Sequence, residues 1–138
     1  MQTRAETNFP KTAETFHAGA KTLPQRYFVS PEIFEEEQEK IFSRQWVLVG
    51  HQSQIAEAGD YFTAEIAGES LIIVRDKHGT IHGFYNVCRH RGSQLIEKRN
   101  GQSQGIQCPY HAWTYALDGR LLGAPHMDDV PGFDKTDY

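Results

Sequence analysis

Cysteine is scarce in this 138-residue chain, which has only Cys88 and Cys108. Two thiols exclude a framework of several disulfides. In a reducing compartment a structural bridge between them is disfavoured, which leaves metal binding or catalysis as their use. Long apolar runs are also missing: no stretch approaches the roughly 18 residues of a membrane-crossing helix. The first twenty residues carry Arg4, Glu6, Lys11 and Glu14 and lack the continuous apolar segment of a secretory signal. Positive charge is not in excess either. The formal net charge is −4 with 23% charged residues, so neither a nucleic acid nor an anionic membrane surface is an expected partner. Internal repeats and low-complexity segments are absent. The expectation is a cytoplasmic chain of single-domain size, able to bury roughly two-thirds of its unfolded surface.

What is present changes character along the chain. Residues 1–22 lack clear periodicity and read as a polar arm. In the stretch that follows, Ser30 is placed to cap a helix, Pro31 suits its first turn and Glu32 adds an acidic residue there. Ile33, Phe34, Ile41 and Phe42 make a partly apolar face, with Glu35, Glu36, Glu37 and Lys40 mostly toward water, and the helix should end near Arg44. From Trp46 onward, short apolar or alternating runs (WVLVG, YFTAEIAG, SLIIVRD, TIHGFYNV) are separated by turn signals such as Lys77-His78-Gly79. A second set follows: QGIQC, AWTYAL, the turn Asp118-Gly119, and RLLG. Strands of this length at this spacing predict a mostly β fold, an antiparallel sandwich or small barrel.

Two segments carry the chemistry: Cys88-Arg89-His90-Arg91-Gly92 and Cys108-Pro109-Tyr110-His111-Ala112-Trp113. Together they read C-x-H, the intervening residues 91–107, then C-x-x-H, each at a strand-to-loop transition. The polar, Gly-containing stretch EKRNGQSQG lies between them. Two ligand loops projecting from one end of a β-scaffold follow from this. In a Rieske-type [2Fe–2S] cluster, two thiolates hold one iron and two imidazoles the other, which raises the potential above that of an all-cysteine cluster. Cys88, His90, Cys108 and His111 supply that donor set. Tetrahedral zinc takes the same set, although C-x-H is tighter than the two-to-four-residue spacing usual in zinc knuckles. A zinc-stabilised interaction module therefore stays as an alternative.

At these residues the chain resembles the Rieske non-haem iron oxygenases, specifically the N-terminal Rieske domain of their α subunit. NVCRHRG and CPYHAWTYALDGRL carry the cluster-binding pattern, and the likeness runs from about Leu23 to the end of the chain. The lead-in LPQRYFVSPEIFEEEQEKIFSRQWVLVGH resembles the helix and first strand of these subunits. The tail GAPHMDDVPGFDKTDY is similar to that of the glycine betaine and choline monooxygenase branch. Ring-hydroxylating dioxygenases share most of the pattern. The resemblance implies a Rieske-type antiparallel β-sandwich with two cluster-binding hairpin loops, preceded by an N-terminal helix. Its expected parts are the arm at 1–22, a helical lead-in at 23–45, the Rieske domain at 46–125 and a tail at 126–138 leading toward a catalytic domain.

The resemblance also implies roles for neighbouring side chains. Tyr110 and Trp113 would cover the cluster, Arg89 and Arg91 would face a neighbouring subunit, and Gly92 would permit a tight turn. His17, His51, His78 and His82 have no partner spacing and read as structural or exposed. A complete α subunit goes on to a domain where two His and a carboxylate hold a mononuclear Fe(II). No D-x-x-H-x-x-x-x-H-like segment occurs here, and His126 has no nearby second histidine. The expectation is a fragment, or a domain whose catalytic partner lies elsewhere. It would pass electrons from a reductase or ferredoxin to an oxygenase domain, within a homotrimer in the full-length protein. A stand-alone Rieske ferredoxin is the alternative within redox chemistry.

Overall fold

The structure, a computed structural model, describes residues 18–138. His17 and most of the expected polar arm lie outside the described residues. The chain divides into two compact units, Met1–Glu36 and Glu37–Tyr138. In the described part of the first unit, a single turn α1 (Arg26–Val29) leads into α2 (Pro31–Glu37). The Ser30 hydroxyl accepts the Ile33 N–H at 3.3 Å and donates to Glu32 at 2.5 Å, so it caps the helix as its side-chain chemistry predicts. Beyond Glu37 the helical path widens into a π-helical turn, Gln38–Phe42, and closes at Ser43. Of the expected apolar face, Phe34, Ile41 and Phe42 are exposed and Ile33 is half-buried.

The second unit is built from two antiparallel sheets. The larger has the order β3-β2-β1-β4, from β1 (Asp60–Ile66), β2 (Glu69–Arg75), β3 (Ile81–Tyr85) and β4 (Asn100–Gln102). The smaller has the order β5-β6-β7, from β5 (Ile106–Gln107), β6 (Thr114–Tyr115) and β7 (Leu121–Gly123). Ala67 and Gly68 join β1 to β2 with φ of 52° and 80°, the two-residue turn whose twist matches the flanking strands. Alternation along β2 turns Ile72 and Val74 fully inward. They share one core with Ile106, Trp113, Tyr115, Leu117 and Leu121 of the second strand set, and Cys88 and Cys108 belong to that core.

Two differences from the sequence reading have physical causes. The run WVLVG joins no strand among the described residues, and Trp46 and Leu48 are exposed. Alternation fixes which side chains share a face and says nothing of whether a partner edge exists. Conversely, the polar stretch 97–105 contributes β4, which pairs with β1 through Tyr61↔Gly101 and Phe62↔Asn100. Its pairing groups are backbone, so its polar side chains gave no apolar signal. Near the end of the chain, a 3-10 turn at Lys135–Asp137, capped by Asp134, places Phe133 and Tyr138 against the core.

Candidate metal centre

The two motifs form loops with the same backbone wiring. In the first, the Cys88 N–H bonds to Ser93 O at 2.8 Å and the Gly92 N–H to Cys88 O at 2.9 Å. In the second, the Cys108 N–H bonds to Trp113 O at 2.7 Å and the Ala112 N–H to Cys108 O at 3.0 Å. Each loop therefore turns through a residue of left-handed φ four places after its cysteine, 71° at Gly92 and 59° at Ala112. β3 feeds the first loop, which a Val87↔Gln94 bridge closes; β5 and β6 flank the second. Asn86, buried at the root of the first loop, donates to Ser70 Oγ and Ile96 O and accepts from the Leu95 and Ile96 N–H groups.

This wiring brings the four predicted donors together. Cys88 and Cys108 are 1% and 2% exposed, carry free thiols, and interact with each other. The His90 and His111 ring centroids stand 4.8 Å apart at 70°. His90 Nδ1 is buried without a hydrogen-bond partner, a cost that a metal bond at that nitrogen would remove. Among the described residues, no three His, Cys, Asp or Glu side chains form a group that could hold one ion. The donors stand instead as a thiol pair and an imidazole pair, the division a two-iron cluster takes. The residues present fit a Rieske [2Fe–2S] group.

The local electrostatics favour that chemistry. Burial disfavours the Cys108 thiolate, yet hydrogen bonds from the His111 and Tyr110 backbone N–H groups and from the Cys88 and Ser93 side chains bring its pKa below the ordinary thiol value. Burial, with the electrostatic influence of the neighbouring His90 and Arg91, lowers the His111 pKa and so favours the neutral imidazole that binds metal. Tyr115 OH lies 3.3 Å from Cys88 Sγ and accepts the Arg89 N–H at 3.2 Å. Burial, then this contact with Cys88, raises the Tyr115 pKa. The phenol therefore stays protonated and can donate to a Cys88 thiolate.

Of the neighbours predicted to matter, Trp113 is 1% exposed and stacks on His90 at 4.7 Å and 5°. Tyr110 lies on His111 at 3.8 Å but is 62% exposed, so it covers that imidazole only from outside. Arg91 is exposed. The remaining histidines stand apart: His51 caps a 3-10 turn, His82 pairs with Asp76 at 2.9 Å, and His78 and His126 are exposed. Sequence reading missed Asn86 and Tyr115. Tyr115 follows Trp113 by two residues, a strand period that places both on one face, and that was the available signal. Asn86 was a polar residue interrupting the strand-like run IHGFYNV.

A sequence model of the family described as Rieske [2Fe-2S] domain matches residues 45–134. The carnitine monooxygenase oxygenase subunit of Escherichia coli (strain K12) is 44% identical over 116 residues, covering 84% of this chain and 31% of that protein. The glycine betaine monooxygenase oxygenase subunit of Chromohalobacter salexigens is 46% identical over 106 residues, 77% of this chain and 24% of that protein. Among solved structures, a quaternary ammonium Rieske monooxygenase, described in terms of carnitine oxidation by gut microbiota and inter-subunit electron transfer, superposes with a TM-score of 0.77 at 43% identity. It is matched over 84% of this chain and 32% of its own. The chain thus spans about a third or less of the length of these proteins.

Proposed function

The chain belongs to the Rieske [2Fe–2S] domain family, and from that premise we propose that it carries single electrons to a mononuclear non-haem iron within a longer oxygenase. Cys88 and Cys108 would hold one iron, and His90 and His111 the other. The observation that supports this most is the pair of identically wired loops, which set two buried thiols and two imidazoles together with His90 Nδ1 buried and unpartnered.

A bound cluster would supply a reversible one-electron couple, with a potential raised by its neutral imidazole ligands. The chain's own residues do the rest. Trp113 and the core around it keep water from the cysteines and from one face of His90, which favours cluster retention. The Cys108 N–H network and the Tyr115 hydroxyl stabilise thiolate charge. Arg91 and Tyr110 line the exposed side of the loops, where a donor or acceptor protein would approach. We assign the electron supply to a reductase or ferredoxin, the acceptor to a catalytic domain in a trimeric oxygenase, and the location to the cytoplasm. The relatives' names favour a small quaternary ammonium compound as the substrate of the whole protein, hydroxylated or demethylated with O₂.

The test is an absorption and EPR spectrum of the purified chain before and after anaerobic dithionite, with iron and acid-labile sulfide assays. A red-brown protein with the low average g of a His-ligated [2Fe–2S] centre supports the reading. A colourless, EPR-silent protein, even after reconstitution with iron and sulfide, overturns it. His111→Ala should lose the intact cluster and its colour, and a normal spectrum in that variant would remove His111 from the ligand set.

A further inference from the structure

Residues 133–138 lie far from both ligand motifs in sequence, yet they reach the His90 side of the site. Trp113, stacked on His90, receives the edges of two further rings: Tyr138 at 5.3 Å and 90°, and Phe133 at 5.7 Å and 60°. These two rings touch each other at 5.3 Å. Tyr138 in turn lies 5.2 Å from the Arg89 guanidinium, and Arg89 Nη1 donates to Asp137 O at 3.3 Å. Arg89 is covalently next to His90. The contacts therefore close a circuit: His90 to Trp113, Trp113 to Tyr138, Tyr138 to Arg89, and back along the chain to His90.

We propose that Phe133 and Tyr138 are positioning residues for the His90-ligated iron, acting through Trp113, with Arg89 closing the clamp. The inference rests on the Rieske reading above. A metal-bound imidazole keeps rotational freedom about its own bonds unless a neighbour fixes the ring plane, and that plane shapes the metal–nitrogen interaction. His90 lies 5° from parallel with an indole that is 1% exposed. The indole is fixed in turn by edge-to-face contacts, the arrangement aromatic quadrupoles favour. The ring lying on His111 is Tyr110, which is exposed where Trp113 is buried. The clamp is specific to one imidazole of the pair, and its outer half comes from the segment that follows Gly132.

The experiment uses the full chain loaded with iron and sulfide, comparing wild type with Tyr138→Ala, Tyr138→Phe and Arg89→Met. Two quantities are read: the g values of the dithionite-reduced EPR spectrum, and the rate at which visible absorbance bleaches in an iron chelator. Tyr138→Ala is expected to move at least one g value and to bleach roughly fivefold faster, the fold-change equivalent to about 1 kcal/mol for one aromatic pair. Arg89→Met should shift both in the same direction, because the Arg89 backbone contact with Tyr115 survives. Tyr138→Phe keeps the ring and should match wild type. Unchanged g values and bleaching in both Tyr138→Ala and Arg89→Met overturn the clamp, even if melting of the metal-free variants is lowered. Equal changes in Tyr138→Ala and Tyr138→Phe also overturn it, since the hydroxyl would then be responsible. A wild-type chain that takes up no cluster brings down the Rieske reading, and the clamp with it.

Discussion

Replacing Tyr115 with Phe isolates one hydrogen bond at the candidate metal centre. The phenyl ring keeps the core contacts of a side chain that is 6% exposed, and only the hydroxyl is removed. That hydroxyl accepts the Arg89 N–H at 3.2 Å, which leaves its proton free for Cys88 Sγ at 3.3 Å. Hydrogen bonds to charged groups contribute about 1.5–3 kcal/mol. The sulfur bears more charge after reduction, so only the difference between the two redox states moves the potential. A difference of about 1 kcal/mol corresponds to about 45 mV, given 59 mV per tenfold change for one electron. Losing the donor destabilises the reduced state more, so the potential should fall by about that amount. EPR-monitored titration of both proteins at one pH measures it. A potential that is unchanged or higher in Tyr115→Phe would mean that the hydroxyl does not donate to the sulfur, and the orientation argued from the Arg89 contact would be wrong.

The other predictions concern the loops and their supports. Gly92→Ala adds a Cβ that meets nothing within 4 Å, so its cost is conformational alone: about 1 kcal/mol for a left-handed φ of 71°, read by urea unfolding of the metal-free chain. Ala112→Gly relieves the same conformation in the second loop and should be neutral or slightly stabilising in the same assay. Asn86→Ala leaves the Leu95 and Ile96 N–H groups without their partner, while the Ile96 carbonyl keeps its bond from Gln94 Nε2 at 3.0 Å. At about 1 kcal/mol or more for each stranded N–H, the loss should reach about 2 kcal/mol, and unfolding measurements that found less than about 1 kcal/mol would show that water replaces the amide. Asp76 is held at a pKa of about 2 by its hydrogen bond to His82, against the cost of its burial and with help from the Thr80 and His78 N–H groups. Its depressed pKa contributes stability that is complete above the unfolded value near 4 and is lost as pH falls toward 2. Asp76→Asn should therefore flatten the dependence of melting temperature on pH between 4 and 2, and an unaltered slope would show that Asp76 is not the group responsible.

The four candidate donors, which the structure brings together, were legible in the sequence to a degree that the scaffold was not, and the reason is chemical. A cluster of mixed ligation constrains residue type at each donor, so C-x-H and C-x-x-H announce themselves in a chain with only two cysteines. The strands around them are constrained only by face. YFTAEIAG, SLIIVRD and TIHGFYNV could be placed because each is a short apolar or alternating run bounded by turn signals. WVLVG is an equally apolar short run and forms no ladder among the described residues, while the polar Asn100–Gln102 does. Pairing is a property of two segments at once, and no single segment encodes it. The same limit explains the residues missed at the centre. Tyr115, Phe133 and Tyr138 bear on donors elsewhere in the chain, Tyr138 lying 48 residues beyond His90, and Asn86 ties the root of the first loop to Leu95 and Ile96. Their effect exists only once the fold has closed the distance. Donor identity is thus written locally, whereas donor orientation is written in contacts between distant segments. Orientation is also what distinguishes the two imidazoles: His90 is locked by a buried stack and His111 lies under an exposed ring, although the two backbone loops that carry them are wired alike.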